Sequence, residues 1–431
     1  MAVIQVMPAH LADLIAAGEV VERPGSVVKE LLENAVDAGA KTVTVEIQAG
    51  GMSMIRVTDD GCGMSREDVQ TAFLRHATSK LQREDQLASI GTLGFRGEAL
   101  AAIAAVSRIQ VLTRPAEEAE GTCLTLEGGV QTGCEPAGCP AGTTILVRDL
   151  FYNTPARQKF MKRDSAEASN VFSVVQKQAL ANPGVSYRFL KQGVEQLHTP
   201  GDGALESAVY CVLGRDAALD MVYLESGWNG LRLTGCVSKP SAGRGNRNYQ
   251  HFFVNGRWIK SKTLTAALEQ AYRNQLMVGK YPACVLHLTL PLTAVDVNVH
   301  PAKTEVRFLS DKDVFDTVYY GVLEALAKAQ DRPELRLDRT DEPQASPGSA
   351  QGSGTSAGSK PAQTTAFVPS APAFRQEPEG SSGLRTVLQG TEDRVPASPR
   401  EDFYRTMSAQ DYRDYLQTRA GSKAAGESGD Q

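Results

Sequence analysis

The sequence predicts an α/β protein over residues 1 to about 335, followed by a tail of different character. Three observations carry this reading. Strand-like and helix-like segments alternate along the first stretch, a helix at 27–40 sets polar residues beside an apolar stripe, and the composition changes after about position 335. At 431 residues the chain is long enough for two to three domains and a large core.

The elements follow in order. "TVTVEI" (42–47) and "SMIRVTD" (53–59) alternate with period two and read as strands. "SREDVQTAFLRHA" (65–77) opens with Ser65 and places Asp68 three residues on, a capping box ahead of a helix. "GEALAAIAAVS" (97–107) reads as a small-residue helix, and "AEASNVFSVVQKQALANPG" (166–184) as a helix stopped by Pro183 and Gly184. A second module is expected from about 206. In it, "NYQHFFVNGRWIKS" (248–261) is a strand–turn–strand unit around Asn255–Gly256, and "KTLTAALEQAYRNQL" (262–276) an amphipathic helix. "ACVLHLTL" (283–290) and "AVDVNV" (294–299) are strands, and "KDVFDTVYYGVLEALAKAQ" (312–330) closes the module as a helix. The predicted divisions are 1–205, 206–335 and a low-complexity tail at 336–431, rich in Ser, Gly, Pro and Ala. Within that tail, 401–419 carries aromatics and reads as a peptide that folds on a partner.

Composition narrows the function. A hydrophobic content of 42% and a charged content of 22% are those of an ordinary globular protein. The net charge of −5 gives no global nucleic-acid signature, so DNA binding would need a local basic patch. No run of about 18 apolar residues is present, and the N-terminus lacks the pattern of a signal peptide. The seven cysteines are scattered, with no C-x-x-C pair, so neither a disulfide framework nor a structural zinc is expected, and a reducing cytoplasm fits.

The polar helix needs a reason. In "VVKELLENAVDAGA" (27–40), positions 28, 31, 32, 35 and 38 form the apolar stripe, while Glu30, Asn34 and Asp37 share the neighbouring face at i, i+4 and i+7. Taken alone this is a solvated flank supported by a Lys29–Glu33 pair. Three further segments bear on it. "DDGCGM" (59–64) follows a strand and can present a carboxylate where backbone comes close to a ligand. "GTLGFRGEAL" (91–100) spaces glycines three apart before a helix, so its N–H groups can meet phosphates, although no G-x-x-x-x-G-K-[ST] loop occurs. "RHATSK" (75–80) brings Thr78, Ser79 and Lys80, two hydroxyls and an ammonium suited to phosphate oxygens. Each also reads as an ordinary turn, loop or helix end.

Their order is specific. E-x-x-x-N-x-x-D on a helix, then D-x-G-x-G, the glycine-rich loop and "GTTI" (142–145) form a pattern. It resembles the nucleotide-binding fold of gyrase, histidine kinases and the ninety-kilodalton heat-shock chaperones. Within that superfamily the chain closely resembles the MutL family of mismatch-repair ATPases. The resemblance rests on "IAAGEVVERPGSVVKELLENAVDAGA", "DDGCGM", "RHATSK", "TLGFRGEALAAIAAVS", "GTTILVRDLFYNTPARQKFM", "FVNGRWI" and "DVNVHPAKTEVRF", spanning about 15 to 308. It implies a Bergerat-type two-layer α/β sandwich with a mixed, largely antiparallel sheet, then a smaller α/β module like ribosomal protein domains.

The chemistry and the resemblance agree on roles. ATP hydrolysis needs a base, for which Glu30 serves, and an oxygen ligand for Mg²⁺, for which the Asn34 amide serves. The resemblance makes Asp37 a support of the pocket wall, Asp59 the adenine-reading carboxylate, Gly63 a point of close approach to the base and Thr143 part of the adenine-side network. It makes Gly91, Leu93, Gly94, Phe95, Arg96 and Gly97 the phosphate lid, with Thr78, Ser79 and Lys80 as further nucleotide contacts. Lys303, in "HPAK", would reach the γ-phosphate from the second module. Two positions depart from the family pattern: Ala35 replaces a usual Ser, and Asp60 replaces a usual Asn, adding negative charge near the pocket.

Local basic residues offer a sequence-independent DNA groove: Arg157 and Lys159; Lys239, Arg244 and Arg247; Arg257, Lys260 and Lys262. The resemblance implies an ATP-driven matchmaker between MutS and downstream nuclease and helicase steps, bacterial, cytoplasmic and nucleoid-associated, dimerising through its N-terminal module (residues 1 to about 23 included) when ATP binds. Family members carry a C-terminal dimerisation domain after the linker. Here 336–431 holds neither a clear counterpart nor the endonuclease signature D-Q-H-A-x-x-E. The alternatives are a non-catalytic scaffold, disfavoured by the intact Glu30–Asn34 pair, and a topoisomerase subunit, disfavoured by "DVNVHPAKTEVRF" and "FYNTPARQKF".

Overall fold

The computed structural model describes residues 7, 14–15, 17–18, 20–80, 92–94, 97–296 and 305–329. Residues 1–338 form one unit, and 339–431 form another that lies wholly outside the described residues, as does the segment at 401–419.

Helix α1 (Pro24–Asp37) begins with proline at its first positions, where the missing N–H costs nothing. Its buried face is Val27, Val28, Leu31, Leu32 and Ala35, four of them on the predicted stripe. Each fully buried Val or Leu there contributes about 1.5–3 kcal/mol. That face packs on strands β1 (Thr42–Gln48) and β2 (Met54–Asp59) and on the long helix α5 (Asp164–Ala181). Between them come short helices α2 (Arg66–Thr71), α3 (Ala99–Ala105) and α4 (Pro155–Phe160), and strands β3 (Arg108–Arg114), β4 (Gly121–Glu127), β5 (Val130–Ala137) and β6 (Gly142–Arg148).

With β7 (Ser186–Lys191) and β8 (Val194–His198), these strands make an eight-stranded sheet ordered β5-β4-β3-β6-β2-β1-β7-β8. Every pairing in it is antiparallel except β1 with β7. Its buried positions alternate, as in Val43, Val45 and Ile47, so one face meets the helices and the other is part-exposed. This is the two-layer α/β sandwich with a mixed, largely antiparallel sheet.

Short helices α6 (Leu205–Leu213) and α7 (Arg215–Leu219) lead into a second sheet ordered β12-β11-β13-β10-β9. Its strands are β9 (Met221–Trp228), β10 (Leu231–Ser238), β11 (Gln250–Val254), β12 (Arg257–Ile259) and β13 (Cys284–Thr289). The predicted Asn255–Gly256 turn joins β11 to β12, with φ of 47° and 79° as a hairpin of this type requires. Helices α8 (Lys262–Ala271) and α9 (Asp311–Ala329) pack together beside this sheet, α9 against β9 and β10. A two-residue pair, β14 (Val295–Asp296) and β15 (Arg307–Phe308), precedes α9. Among the described residues no helix is long and apolar enough to cross a membrane.

Candidate nucleotide site

The polar face of α1 is a connected site rather than a solvated flank. Lys29 Nζ lies 2.9 Å from Glu30 and 2.8 Å from Glu33, and Glu33 is only 5% exposed. Burial opposes the Lys29 charge, but the two carboxylates outweigh it and raise its pKa above the ordinary lysine value. The ion pair holds Glu30, whose side chain stays 16% exposed, at the rim of the site.

Asp37 has a larger part than wall support. Its Oδ1 accepts the Leu93 N–H at 3.1 Å, and its Oδ2 accepts the Gly94 N–H at 3.0 Å and the Lys80 ammonium at 2.6 Å. Lys80 Nζ also donates to Asn34 Oδ1 at 3.0 Å. A carboxylate thus gathers two backbone donors of the glycine-rich loop and one cation, all within reach of Asn34. Gly94 lies close against this cation: a Cβ at that position would come within 3.0 Å of Lys80 Nζ. Thr78 Oγ1 accepts the Lys80 N–H at 3.1 Å, whereas Ser79 is exposed and makes none of these bonds. Gly97 sits against the Ala77 backbone. Gly91, Phe95, Arg96 and Lys303 lie outside the described residues, as does most of the N-terminal stretch.

The other end of the site is built on the strand ends of β2 and β6. Asp59 caps β2 and accepts the Gly61 N–H at 2.9 Å. Burial pushes its pKa up to about 6; bonds from the Gly61 and Thr143 backbone oppose the shift, and the charge of Asp60 adds to it. Asp60 itself turns away: its Oδ1 accepts the N–H groups of Lys41 and Thr42 at 2.7 and 2.8 Å. Burial works against its charge, yet these bonds hold it below the usual carboxylate range. Gly63 has φ of 70°, and a Cβ there would meet the Arg114 carbonyl at 2.3 Å, so the turn demands glycine for its own packing as well.

Sequence reasoning passed over Thr113, buried in the middle of this network. Its Oγ1 bonds Thr143 Oγ1 at 3.0 Å and the Gly142 carbonyl at 3.1 Å, and accepts the Met64 N–H at 2.9 Å. It ties the "DDGCGM" turn to β6. Only its position on β3 gives it this part, and no local pattern marks it. Ala35, where a Ser is usual, is 2% exposed and needs no partner.

The basic residues divide. Lys159, Lys239, Arg247, Lys260 and Lys262 are exposed. Arg247 pairs with Glu269 at 2.6 Å, which offsets part of its charge, and Arg244 lies over the Tyr249 ring at 5.1 Å. Arg157 donates to the Val21 carbonyl at 3.1 Å and packs against Gly18. Arg257 corrects the expectation of a DNA contact. It is 7% exposed and donates to the Thr92 carbonyl of the glycine-rich loop, because the Asn255–Gly256 turn aims the first residue of β12 inward.

Comparison with known proteins places this geometry. The family described as "Histidine kinase-, DNA gyrase B-, and HSP90-like ATPase" matches residues 22–131, and that described as "DNA mismatch repair protein, C-terminal domain" matches 209–327. The DNA mismatch repair protein MutL of Agathobacter rectalis is 43% identical over 340 residues, which are 79% of this chain and 52% of that protein. That of Desulforudis audaxviator is 48% identical over 326 residues, 76% of this chain and 58% of that protein. The chain therefore spans about half the length of the curated relatives it matches. Among solved structures, the N-terminal domain of a DNA repair protein superposes with a TM-score of 0.63 at 25% identity, covering 74% of this chain and 98% of that one. The Aquifex aeolicus MutL ATPase domain complexed with ADP superposes with a TM-score of 0.50 at 31% identity, covering 63% of this chain and 93% of that one. On this evidence the chain belongs to the MutL family of DNA mismatch repair proteins.

Proposed function

We propose that this chain is a Mg²⁺-dependent ATPase that acts as a nucleotide-switched matchmaker in DNA mismatch repair. The observation that carries the reading is the gathering of Lys80 Nζ and the N–H groups of Leu93 and Gly94 on the Asp37 carboxylate, beside Asn34, which itself stands one helical turn from Glu30. Three donors aimed at one carboxylate are equally suited to phosphate oxygens. At the opposite end, Asp59 supplies an acceptor for an adenine amine.

The division of labour follows. Residues 1–205 bind and hydrolyse ATP, 206–335 relay the nucleotide state and bind DNA, and 336–431 serve as linker. Glu30, anchored by Lys29, withdraws a proton from the attacking water. Lys80 and the loop N–H groups offset charge on the phosphates. Asn34 Oδ1 already faces the Lys80 ammonium, so it fits a hard cation, and it would hold Mg²⁺, which neutralises phosphate charge when bound. The exposed cations Lys159, Lys239, Arg247, Lys260 and Lys262 bind the DNA backbone irrespective of sequence, with Arg244 beside them. Pairing of two N-terminal modules on ATP, engagement of MutS and of a downstream nuclease and helicase, and a place on the bacterial nucleoid complete the proposal.

The test is ATP turnover over a series of chain concentrations, with Mg²⁺ or EDTA and with or without single-stranded DNA. Turnover that needs Mg²⁺, rises faster than chain concentration and is stimulated by DNA supports the proposal. Nucleotide binding without turnover under every condition overturns the enzymatic part and leaves a scaffold.

A further inference from the structure

Arg257 is a buried cation that the nucleotide site's own residues do not explain. It opens β12 in the second sheet, yet its Nη2 donates to the Thr92 carbonyl, one residue before the two N–H groups that Asp37 holds. Its Nη1 is buried, with no hydrogen-bond partner among the described residues. Burial lowers its pKa, while the charges of Glu33, Asp37 and Glu30, in that order, act to hold the proton. A cleft of about 190 Å³ runs beside it, lined in part by Lys29, Glu33, Leu93 and Trp258. A guanidinium left half-satisfied in a buried position is unfavourable unless its placement serves something.

We infer that Arg257 is a positioning residue for ATP hydrolysis and the mechanical link between the second sheet and the phosphate loop. Its fork fixes Thr92, and Thr92 sets where the Leu93 and Gly94 amides point. Its charge balances the three α1 carboxylates, so a shift of α1 and a shift of β12 are felt by the same group. Displacement of β12, which continues directly into the exposed cations Lys260 and Lys262, is thereby passed to the loop amides. DNA bound at those cations would alter turnover through Arg257, without Arg257 touching DNA. This rests on the ATPase reading above.

The test uses the full chain with Arg257→Lys, which keeps the charge and loses the planar fork, and Arg257→Gln, which keeps a donor and loses the charge. Three quantities are read: kcat and KM for ATP with and without DNA, DNA affinity at fixed salt, and amide exchange at Leu93 and Gly94. Arg257→Lys is expected to lower DNA-stimulated kcat by about 10- to 100-fold, a loss typical of misplaced reacting groups. DNA affinity stays within about twofold of the parent, as for a residue off the phosphate path. Both amides exchange faster in Arg257→Lys, and less so in Arg257→Gln if the bond to Thr92 survives. Parent-like kcat and exchange in both variants would overturn the inference. So would a loss of DNA affinity with kcat unchanged, because Arg257 would then be a DNA contact. If the parent chain itself shows no turnover, the ATPase reading fails, while faster amide exchange in the variants still supports the link from β12 to the loop.

Discussion

Asp59 shows how far one carboxylate's environment sets behaviour. Its folded-state pKa of about 6 lies above the ordinary aspartate value of 3.8, chiefly because it is buried. The folded state therefore holds a proton that the unfolded chain has released between about pH 4 and pH 6, and stability falls as pH rises through that window. At pH 7 to 8 the charged form costs up to about 3 kcal/mol, taking 1.36 kcal/mol per pK unit. Asp59→Asn is expected to raise the melting temperature at pH 8 and to lose nucleotide binding, since an amide cannot offer the same acceptor. In the parent chain, ATP affinity should fall as pH drops below about 6, which calorimetry at pH 5 to 8 would read. Unchanged affinity across that range would remove Asp59 from the adenine contact. The Glu30, Asn34 and Asp37 stripe was legible from helical spacing alone. The reach of Asp37 to Leu93 and Gly94 was not, because it joins positions more than 50 residues apart.

At the scale of elements, the sequence showed which segments were strands and helices better than where they end. β1, β2 and the β11–β12 hairpin follow their period-two patterns and the Asn255–Gly256 turn. The helix expected over 65–77 keeps its Ser65 cap but stops at Thr71, and His76 takes φ of 61°, which no α-helix accommodates. The helix expected over 262–276 stops at Ala271, and Asn274 takes φ of 66°. Propensity extends both helices, and backbone reversals needed to bring "RHATSK" and the second sheet into place shorten them. The apolar face of α1 is the element that fixes the polar one. Leu32→Ala, at a fully buried position, should cost about 2–5 kcal/mol by chemical denaturation. Gly63→Ala should cost more than the roughly 1–2 kcal/mol of a left-handed non-glycine residue, because the Arg114 carbonyl blocks the new methyl. A value under about 0.5 kcal/mol for Gly63→Ala would show that the turn relaxes, and would leave ligand approach as the sole reason for that glycine.

At the scale of the molecule, Arg257 of the second sheet shares one network of charges with Glu30, Glu33 and Asp37 of α1. A net charge of −5 disguises a local concentration of exposed cations on and around the second sheet. Lys262→Ala is expected to weaken DNA binding equally for unrelated sequences and to reduce the slope of log affinity against log salt by about 1. A sequence-selective loss would contradict backbone binding. Arg257 was grouped with these cations because charge and sequence neighbourhood cannot tell an inward from an outward residue. The turn before it decides, and that turn was itself predicted. Turning Arg257 inward couples the two sheets.

Glu30 as the base of an ATP-hydrolysing site is put to the test by comparing the parent chain with Glu30→Ala. Binding of ATP by calorimetry and turnover by phosphate release would be measured on the same preparations with Mg²⁺. Glu30→Ala is expected still to bind ATP while turnover falls at least about 100-fold, the size of a lost general base. Turnover within a few-fold of the parent, with binding intact, would contradict it.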